Sequence, residues 1–446
     1  MRLHFIAIGG SAMHNLALAL HRKGDIVTGS DDEIFEPSKS RLMKEGILPP
    51  EEGWYPGRIH QGLDAVILGM HAKADNPELI RAKELGITVF SYPEYLYEQS
   101  KEKTRVVIGG SHGKTTITAM ILHVLKALGI DCDYMVGAQL EGFDVMVKLT
   151  EKAPCMIIEG DEYLTSPIDP RPKFHLYRPD IALLSGVAWD HINVFPTFDH
   201  YVEQFTEFIR LISPGGTLVF CDQDPVLQKI CRDGRNDLRR FPYGIPEYSI
   251  ENGVTRLITP YGKYPLQLFG RHNLLNLNGA RLVCLQLGVS DRPFYEAIQT
   301  FGGASKRLEM LVNEGTFTIY KDFAHAPSKV KATINAVREQ YPERTLVACL
   351  ELHTYSSLSE SFLSHYAGAM DEADVAIVYF NPHAVQLKRL PPVTPQQISA
   401  GFDLPGLEVF SDSEKLKKRL SEFPKEEVVY LMMSSGNFDG MDLWEI

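Results

Sequence analysis

Residues 105–120 read RVVIGGSHGKTTITAM: an apolar strand, a glycine-rich turn, and then a lysine and two threonines that begin a helix. Glycines allow backbone N–H groups to surround an anion, and a helix N-terminus adds a favourable dipole. The Lys114 ammonium is suited to neutralise β- and γ-phosphates, and the Thr115 hydroxyl to ligate magnesium. The pattern is a shortened GxxGK[ST], because Ile108 stands where the longer phosphate loop has its first glycine. The segment therefore predicts an α/β fold that binds a nucleoside triphosphate.

Apolar strands alternate with helical stretches on both sides of this loop, which predicts parallel α/β sheets covered by helices. The charged segment EQSKEKT (98–104) is expected to end a first domain, and Lys306-Arg307 precedes a new series of strands. We therefore predict domains at 1–102, 103–305 and 306–446. The other predicted strands are LHFIAI (3–8), DIVTGSD (25–31), DAVILGM (64–70), ITVFSY (87–92), CMIIEG (155–160), IALLSGV (181–187), TLVFCD (217–222), FTIYKDF (317–323), TLVACLEL (345–352), ADVAIVYF (373–380) and VVYLMMSSG (428–436).

Composition and charge exclude several classes of protein. The 446-residue chain is 44% hydrophobic and 23% charged, as globular proteins are, and its net charge of −12 argues against nucleic acid or an anionic membrane as the main partner. The beginning MRLHFIAIGG lacks the features of a signal peptide, and no apolar run reaches the roughly 18 residues of a membrane-spanning helix. The six cysteines form no CxxC pair, so we expect buried free thiols and a cytoplasmic location.

Acidic and imidazole side chains follow two further strands of the predicted central sheet. Glu159 ends one apolar strand, and Asp190 and His191 follow another. Because the carboxyl ends of parallel strands form the ligand-binding edge of an open sheet, Glu159 and His191 are expected to converge beside the phosphate loop. Together with Thr115 they form the predicted magnesium site. The alternative for the Asp190-His191 pair, taken alone, is a capped turn with a solvated imidazole.

Six motifs occur in the order found in one protein family. They are GSHGKTT (110–116), EGDE (159–162), WDH (189–191), GRHNLLNLNGA (270–280), SKRLE (305–309) and DFAHAP (322–327). By these motifs the chain resembles the Mur ligases over essentially its whole length. The resemblance implies a Rossmann-like N-terminal domain for a UDP-sugar, a central phosphate-loop ATPase domain, and a Rossmann-like C-terminal domain for an amino acid or peptide. It also implies an ATP- and Mg²⁺-dependent ligase that joins the carboxylate of UDP-N-acetylmuramate to an amine.

The resemblance assigns roles to residues at matching positions. Asn273 and Asn276 match asparagines beside the adenine, although asparagine at the head of an apolar helix is also a common N-cap. Arg307 matches an arginine near the γ-phosphate, while Asp322 and His325 match residues that face nucleotide and substrate; the alternative for His325 is a structural turn histidine. The expected nucleotide-binding residues are Gly110, Ser111, His112, Gly113, Lys114, Thr115, Thr116, Asn273, Asn276, Arg307 and Asp322. Those expected to take part in the reaction are Lys114, Glu159, His191, Arg307 and His325.

The first domain has a turn suited to a pyrophosphate, because Gly9-Gly10 lies between a predicted strand and a helix N-terminus. The glycines that usually flank this turn in the family are replaced by Ala7 and Ala12. A GxGxxG dinucleotide fingerprint is therefore absent, which disfavours a dehydrogenase. Asp31 ends the second strand, where an acid can reach a ribose or uracil group; a solvated strand end is the alternative. The expected substrate-binding residues are Gly9, Gly10, Ser11, Asp31 and His353.

Several segments favour the peptide-adding branch of the family, the murein peptide ligases, whose amine belongs to L-Ala-γ-D-Glu-meso-diaminopimelate. Among these segments are DEYLTSPIDPRPKFHLYRP (161–179) and MSSGNFDGMDL (433–443). The segment ELHTYSSL (351–358) keeps His353 but has Thr354 and Ser357 where the alanine-adding branch has arginines, which argues against L-alanine as the amine. The alanine-adding branch is the main alternative.

Other departures from the family pattern leave two further alternatives open. Gly186 and Ala188 stand where the family usually has asparagine and glutamate, so one alternative is a protein that binds UDP-sugar and ATP without catalysis. The second alternative is a simple ATPase switch. No lysine occurs between Lys173 and Lys229, so the carbamylated lysine of several Mur ligases has no counterpart here. The alanine-adding branch also lacks that lysine.

Overall fold

A computed structural model describes residues 1–140, 142–143, 145–166, 168–189, 194–233, 235–251, 253–303 and 308–445. The chain divides into two compact units, Met1–Ile245 with Leu275–Ile298 and Pro246–Leu274 with Gln299–Ile446. Two mainly parallel sheets lie in the first unit and a third lies in the second. The predicted α/β class, with Rossmann-like sheets before and after the phosphate-loop sheet in chain order, is confirmed.

A four-stranded parallel sheet occupies the N-terminal part of the first unit. Its strands are β1 (Arg2–Ile6), β2 (Ile26–Ser30), β3 (Ala65–Leu68) and β4 (Val89–Ser91), and its helices are α1 (Ser11–Lys23), α2 (Ser38–Lys44), α3 (Pro77–Glu84) and α4 (Tyr92–Ser100). The strand order is β2-β1-β3-β4. The predicted first strand ended two residues too late, because Ala7 adopts a left-handed φ of 67° and begins the turn into α1.

A seven-stranded sheet forms the centre of the first unit. The strands of this segment are β5 (Thr104–Gly109), β6 (Asp133–Met135), β7 (Val147–Lys148), β8 (Cys155–Glu159), β9 (Leu164–Ser166), β10 (Asp169–Pro172), β11 (Ile181–Leu184), β12 (Thr217–Cys221) and β13 (Arg239–Tyr243). The helices are α5 (Lys114–Ala127), α6 (Lys173–Leu176), α7 (Phe198–Arg210) and α8 (Pro225–Arg232). The sheet order is β13-β12-β11-β5-β8-β6-β7, with only β7 antiparallel among these strands, and β9 and β10 form a separate hairpin. Because β5 lies between β11 and β8, the loops after these three strands meet at one edge.

A small antiparallel sheet and two helices follow the central sheet in sequence. The elements are β14 (Tyr248–Glu251), β15 (Val254–Thr259), β16 (Gly262–Pro265), α9 (Arg271–Gln286) and α10 (Asp291–Ile298). The three strands pair in the order β14-β15-β16. None of them was predicted from the sequence. They belong to the second unit, whereas α10 belongs to the first.

The second unit contains a six-stranded sheet. Its strands are β17 (Glu309–Glu314), β18 (Phe317–Asp322), β19 (Thr345–Leu352), β20 (Val375–Phe380), β21 (Glu408–Phe410) and β22 (Val428–Met433), and its helices are α11 (Pro327–Gln340), α12 (Glu360–Leu363), α13 (Pro382–Leu387), α14 (Pro395–Phe402) and α15 (Ser413–Ser421). The order is β17-β18-β22-β19-β20-β21, and β17 alone pairs antiparallel among these strands. Successive side chains of β22 enter opposite apolar clusters, so both faces of the sheet are buried.

The sequence predictions about cysteines and membrane spans can be compared with the structure. All six cysteines are free and buried, as predicted. Burial raises the pKa of the thiol at each of them, which disfavours the reactive thiolate. Across the described part of the chain, no helix has the length and apolar character needed to cross a membrane.

Candidate functional site

The phosphate loop joins the end of β5 to the start of α5. Gly110 and Gly113 adopt left-handed φ angles of 129° and 80°, and α5 begins at Lys114. A Cβ atom at Gly113 would collide with the side-chain amide of Asn276, and one at Gly110 would collide with the Ser185 hydroxyl. Both positions therefore require glycine for backbone conformation and for space. The strand–turn–helix context that the sequence predicted is present.

Lys114 lies across the loop with its ammonium between two acceptors. Its Nζ donates to the Gly110 carbonyl at 2.7 Å and to Glu162 Oε2 at 2.7 Å. Burial opposes the charge of Lys114, but Glu162 outweighs that effect and raises the pKa of the ammonium. Glu162 is itself buried, and its other oxygen accepts from the Tyr201 hydroxyl at 3.1 Å. The lysine is thus held as a cation at the place where nucleotide phosphates are expected.

Thr115 and Glu159 meet despite their separation in sequence. The Thr115 hydroxyl donates to Glu159 Oε1 at 2.8 Å, and Glu159 Oε2 accepts from the Gly137 N–H at 2.9 Å. A hydroxyl and a carboxylate at the head of a phosphate-binding helix are oxygen donors that suit Mg²⁺, which usually takes few protein ligands beside phosphates. These two residues therefore fit a magnesium ion. His191, the third predicted ligand, lies outside the described residues.

The helix that follows the small antiparallel sheet carries the two predicted adenine-side asparagines. Asn276 is buried and its amide faces Gly113 of the phosphate loop. Asn273 donates its amide to the Phe269 carbonyl at 2.9 Å. Both residues lie inside α9, which begins at Arg271, so the N-cap alternative is wrong. Only Asn276 belongs to the same compact unit as the phosphate loop.

The Asp31 carboxylate holds the Gly9-Gly10 turn in place. Asp31 Oδ2 accepts from the Gly9 N–H at 2.6 Å, and the side chain is 5% exposed. Burial raises the pKa of Asp31 to about 6, although the Gly9 N–H favours the charged form. The alternative of a solvated strand end is therefore wrong. The carboxylate supports the turn, whereas Ser11 at the start of α1 is exposed.

A cavity of about 310 Å³ separates the start of α1 from the phosphate loop. It lies wholly within the first unit, and its volume is near the lower end for small-molecule sites. It is lined by Ser11, Ala12, Asn15, Tyr92, Lys114, Met135, Val136, Gly137, Met146, Val147, Glu159, Asp161, Lys173 and Tyr177. The predicted phosphate, metal and sugar residues Lys114, Glu159 and Ser11 thus face one space.

The predicted residues of the second unit are held by their own chain. Asp322 accepts from the Leu308 N–H at 2.7 Å through one oxygen and from the Thr333 hydroxyl at 3.0 Å through the other. The Nδ1 atom of His325 lies 2.9 Å from the Phe323 carbonyl, as expected for a turn histidine. In this structure Asp322 organises the turn between β18 and α11. Arg307 and Lys306 lie outside the described residues.

His353 follows β19 at the carboxyl edge of the second unit's sheet. Its Nδ1 atom lies 3.7 Å from Glu351 Oε1. Glu351 is buried, and its other oxygen accepts from the Ser434 hydroxyl and, at 2.8 Å, from the Phe438 N–H. The buried carboxylate therefore joins the ends of β19 and β22 beneath His353.

Sequence reasoning missed several side chains around the phosphate loop. The Tyr201 hydroxyl lies 2.9 Å from the Ser111 hydroxyl, which accepts from the Ala188 N–H at 2.8 Å. Tyr201 also contacts Glu162, so one polar chain supports both the loop and its lysine. The EGDE motif contains Glu162, but no pattern distinguished it from Glu159. Tyr201 lies on α7, where its apolar ring fits the helix's buried face and conceals the role of its hydroxyl.

The comparisons with known proteins agree with an architecture of three mainly parallel sheets. Three family models match: the Mur ligase family catalytic domain at residues 2–104, the Mur ligase middle domain at 108–284 and the Mur ligase glutamate ligase domain at 306–436. The UDP-N-acetylmuramate–L-alanine ligase of Persephonella marina is 30% identical over 84% of this chain and 81% of its own.

Solved structures show the same fold. The UDP-N-acetylmuramate-alanine ligase MurC of Thermotoga maritima has a TM-score of 0.69 at 20% identity, covering 99% of this chain and 97% of that one. The UDP-N-acetylmuramate:L-alanyl-gamma-D-glutamyl-meso-diaminopimelate ligase of Neisseria meningitides has a TM-score of 0.59 at 26% identity, covering 67% of this chain and 98% of that one. Motif order, domain matches and sequence identity agree: the chain belongs to the Mur ligase family of ATP-dependent, ADP-forming ligases.

Proposed function

We propose that this chain joins the peptide L-Ala-γ-D-Glu-meso-diaminopimelate to the lactyl carboxylate of UDP-N-acetylmuramate, with ATP and Mg²⁺, in peptidoglycan recycling. The observation that carries the proposal is the convergence of Lys114 and Glu159 on one cavity with the exposed start of α1. A triphosphate and an acidic sugar can meet there beside fixed cationic and metal-binding groups. A non-catalytic binding protein or a simple ATPase switch would not require these groups to meet in one cavity.

The chemistry follows from the weakness of a carboxylate as an acyl donor. A carboxylate oxygen attacks the γ-phosphorus of ATP, the bond to ADP breaks, and an acyl phosphate forms. The amine then attacks the acyl carbon, phosphate leaves with the C–O bond electrons, and the nitrogen loses a proton. Lys114 stabilises the negative charge of the transferred phosphoryl group. Mg²⁺ held by Thr115 and Glu159 would neutralise phosphate charge.

His191 and Arg307 keep the roles predicted from their motifs, at the metal and the γ-phosphate respectively. His325 and His353 are placed on the second unit, where the peptide amine is proposed to bind. His353 is about 39% exposed and can reach a ligand, whereas Glu351 beneath it is buried. We therefore assign His353 to contact with the peptide.

The segment 351–358 supports a peptide rather than free alanine. The Thr354 hydroxyl donates to the Ser357 hydroxyl at 2.9 Å and accepts from the Ser357 N–H at 3.1 Å. The two side chains close a turn on themselves where the alanine-adding branch is expected to carry guanidinium groups. Thr354 and Ser357 therefore offer no positive charge to neutralise the carboxylate of a free amino acid such as alanine.

The second candidate is ligation of L-alanine itself. It is favoured by the relatives, since the 30%-identical protein of Persephonella marina is named a UDP-N-acetylmuramate–L-alanine ligase. The two functions share the same nucleotide and UDP-sugar and differ only in the amine. Their separation therefore depends on the amine alone.

The test is ADP formation by purified protein given ATP, Mg²⁺ and UDP-N-acetylmuramate with either the tripeptide or L-alanine, with the product identified by mass spectrometry. We expect tripeptide-dependent ADP formation and the UDP-muramyl tripeptide. Ligation of alanine but not of the tripeptide would overturn the peptide proposal and favour the second candidate. ADP formation that ignores any UDP-sugar would refute both.

A matched pair of variants on α5 checks that the phosphate loop carries the reaction. Lys114→Met is expected to reduce ADP formation by roughly 100-fold or more, because it removes a preorganised charge at the transferred group. Lys126→Met removes a lysine from the same helix, where it donates to the Gly142 carbonyl at 2.9 Å, and is expected to leave the rate within about twofold. Equal losses in the two variants would contradict the assignment.

A further inference from the structure

The cavity between α1 and the phosphate loop presents two groups that neither the motifs nor the nucleotide assignment explains. They are Lys173, at the start of α6, and Tyr177, which directly follows that helix. Both line the same cavity as Lys114 and Glu159. This segment therefore places an ammonium and a phenol among the residues that line the proposed reaction cavity.

Tyr177 is fully buried, but its hydroxyl lacks a hydrogen-bond partner among the described residues. A buried polar group without a partner is costly, and such groups in native proteins call for an explanation such as a catalytic or binding role. Burial also raises the pKa of Tyr177, so the phenol stays protonated and acts as a donor. Tyr177 thus adds a phenol without a protein partner to the residues that line the cavity.

Lys173 has a cationic head that is only partly neutralised by protein. Its Nζ atom contacts Asp161 Oδ2 at 2.6 Å, with the lysine 24% and the aspartate 39% exposed. The ammonium has three donors, of which Asp161 takes one.

The charges around the cavity indicate a role for the Lys173 donors that Asp161 does not take. Lys114 lies on the phosphate loop, so its charge is needed by the nucleotide. An acidic acceptor that approaches a triphosphate is repelled by it and needs a second cation. Among the described residues that line the cavity, Lys173 is the other lysine, and Tyr177, which directly follows its helix, supplies a phenol.

We infer that Lys173 and Tyr177 bind the carboxylate of the acceptor and make the enzyme select a UDP-sugar that carries one. This inference rests on the proposed function, which it extends from the reaction to the choice of acceptor. The discriminating ligands are UDP-N-acetylmuramate and UDP-N-acetylglucosamine, which differ by the lactyl ether and its carboxylate. Lys173 and Tyr177 are positioning and specificity-determining residues in this scheme.

The experiment measures the affinity of the full-length protein for both UDP-sugars by titration calorimetry. We expect the wild type to prefer the muramate. Lys173→Met and Tyr177→Phe are each expected to weaken muramate binding about tenfold while the affinity for the glucosamine and the KM for ATP stay unchanged. Lys173→Arg, which keeps the charge, is expected to retain most of the preference.

Stability separates recognition from a structural role. Tyr177→Phe removes a hydroxyl that the protein leaves unpaired, so its melting temperature is expected to equal or exceed that of the wild type. Lys148→Met, which removes a surface lysine paired with Asp131 at 2.5 Å, and Tyr95→Phe, in a buried tyrosine away from the cavity, serve as controls. Both controls are expected to keep the preference for the muramate.

Two results would overturn the inference. One is an equal loss of affinity for both sugars in the Lys173 and Tyr177 variants, and the other is an unchanged preference. If the wild type still ligates UDP-N-acetylmuramate in either case, the proposed function stands and only the specificity assignment fails. A wild type that forms no ADP with any UDP-sugar removes the proposed function and this inference together.

Discussion

The ion pair between Lys114 and Glu162 leads to a prediction about nucleotide binding. The two atoms are 2.7 Å apart, and the side chains are 16% and 1% exposed. At an effective dielectric constant of about 20, the Coulomb attraction at this distance is about 6 kcal/mol, before desolvation is subtracted. Removing one partner of a buried pair usually costs about 3–5 kcal/mol. We therefore expect Glu162→Gln to destabilise the nucleotide-free protein by about 3 kcal/mol.

Nucleotide should restore much of this loss, because its phosphates supply a new partner for Lys114. In the wild type, the same phosphates must draw the lysine away from Glu162. If nucleotide recovers about half of the lost free energy, the variant binds a non-hydrolysable ATP analogue roughly tenfold more tightly, since a factor of ten is about 1.4 kcal/mol. The carboxylate of Glu162 thus stabilises the empty loop at the expense of affinity.

The assay combines thermal unfolding with calorimetric titration of the analogue. A loss of 3 kcal/mol corresponds to a decrease of about 10 °C in the first unfolding transition. Glu207→Gln is the matched control, because Glu207 pairs with Arg210 at 3.2 Å on the exposed face of α7 and such pairs contribute less than about 1 kcal/mol. An unchanged melting temperature in Glu162→Gln would refute the buried-pair reasoning. A lower melting temperature with unchanged affinity would refute the competition between Glu162 and phosphate.

Three further predictions concern the turns and the metal site. Asp31→Asn should remove a pH dependence of stability. Burial raises the pKa of Asp31 from 3.8 to about 6, so the folded state binds the proton more tightly than the unfolded state does. As the pH falls through 6 towards 3.8, the unfolding free energy of the wild type should therefore rise by up to about 3 kcal/mol relative to that of the variant; melting temperatures of the two proteins that change in parallel with pH would contradict this. Gly113→Ala should destabilise the loop by at least about 2 kcal/mol, because a left-handed φ of 80° and a collision with Asn276 coincide; denaturant unfolding should show that Asn276→Ala restores only the part due to the collision. Thr115→Val should raise the Mg²⁺ concentration needed for nucleotide binding about tenfold, while Thr115→Ser, which keeps the oxygen, should not; equal Mg²⁺ titrations of the two variants would exclude a hydroxyl ligand.

The sheets that position the site were predictable because their strands are continuous apolar runs. The segments around β5, β8 and β11 each consist of four or more buried residues that end in polar ones, which is typical of a parallel sheet covered on both faces. The antiparallel sheet of β14–β16 was missed because its strands are not continuous apolar runs: β14 reads YSIE and β16 reads GKYP. Its turn signal, Pro260 to Gly262 between β15 and β16, was present in the sequence.

Side chains brought in by irregular segments could not be predicted in the same way. Lys114 and Glu159 were found because a motif and a strand end fix their positions. Lys173 and Tyr177 belong to a four-residue helix and the residue after it, a length that gives no periodic pattern. Their segment was recognised as a marker of the family branch, but its direction towards the cavity depends on the hairpin of β9 and β10, which sequence periodicity does not reveal.

The structure refines the prediction that the Gly9-Gly10 turn binds an anion. A glycine turn before a helix indicates an anion site, but the Gly9 N–H already donates to Asp31. A pyrophosphate placed beside Gly9 would therefore face a carboxylate rather than a donor. The first N–H groups of α1, from Ser11 onwards, lie along the helix axis and carry the positive end of its dipole. Since Ser11 and Ala12 are exposed and line the cavity, we expect the anion to bind at the start of the helix rather than at the turn. Asp31 then serves to fix the turn so that this helix end faces the phosphate loop.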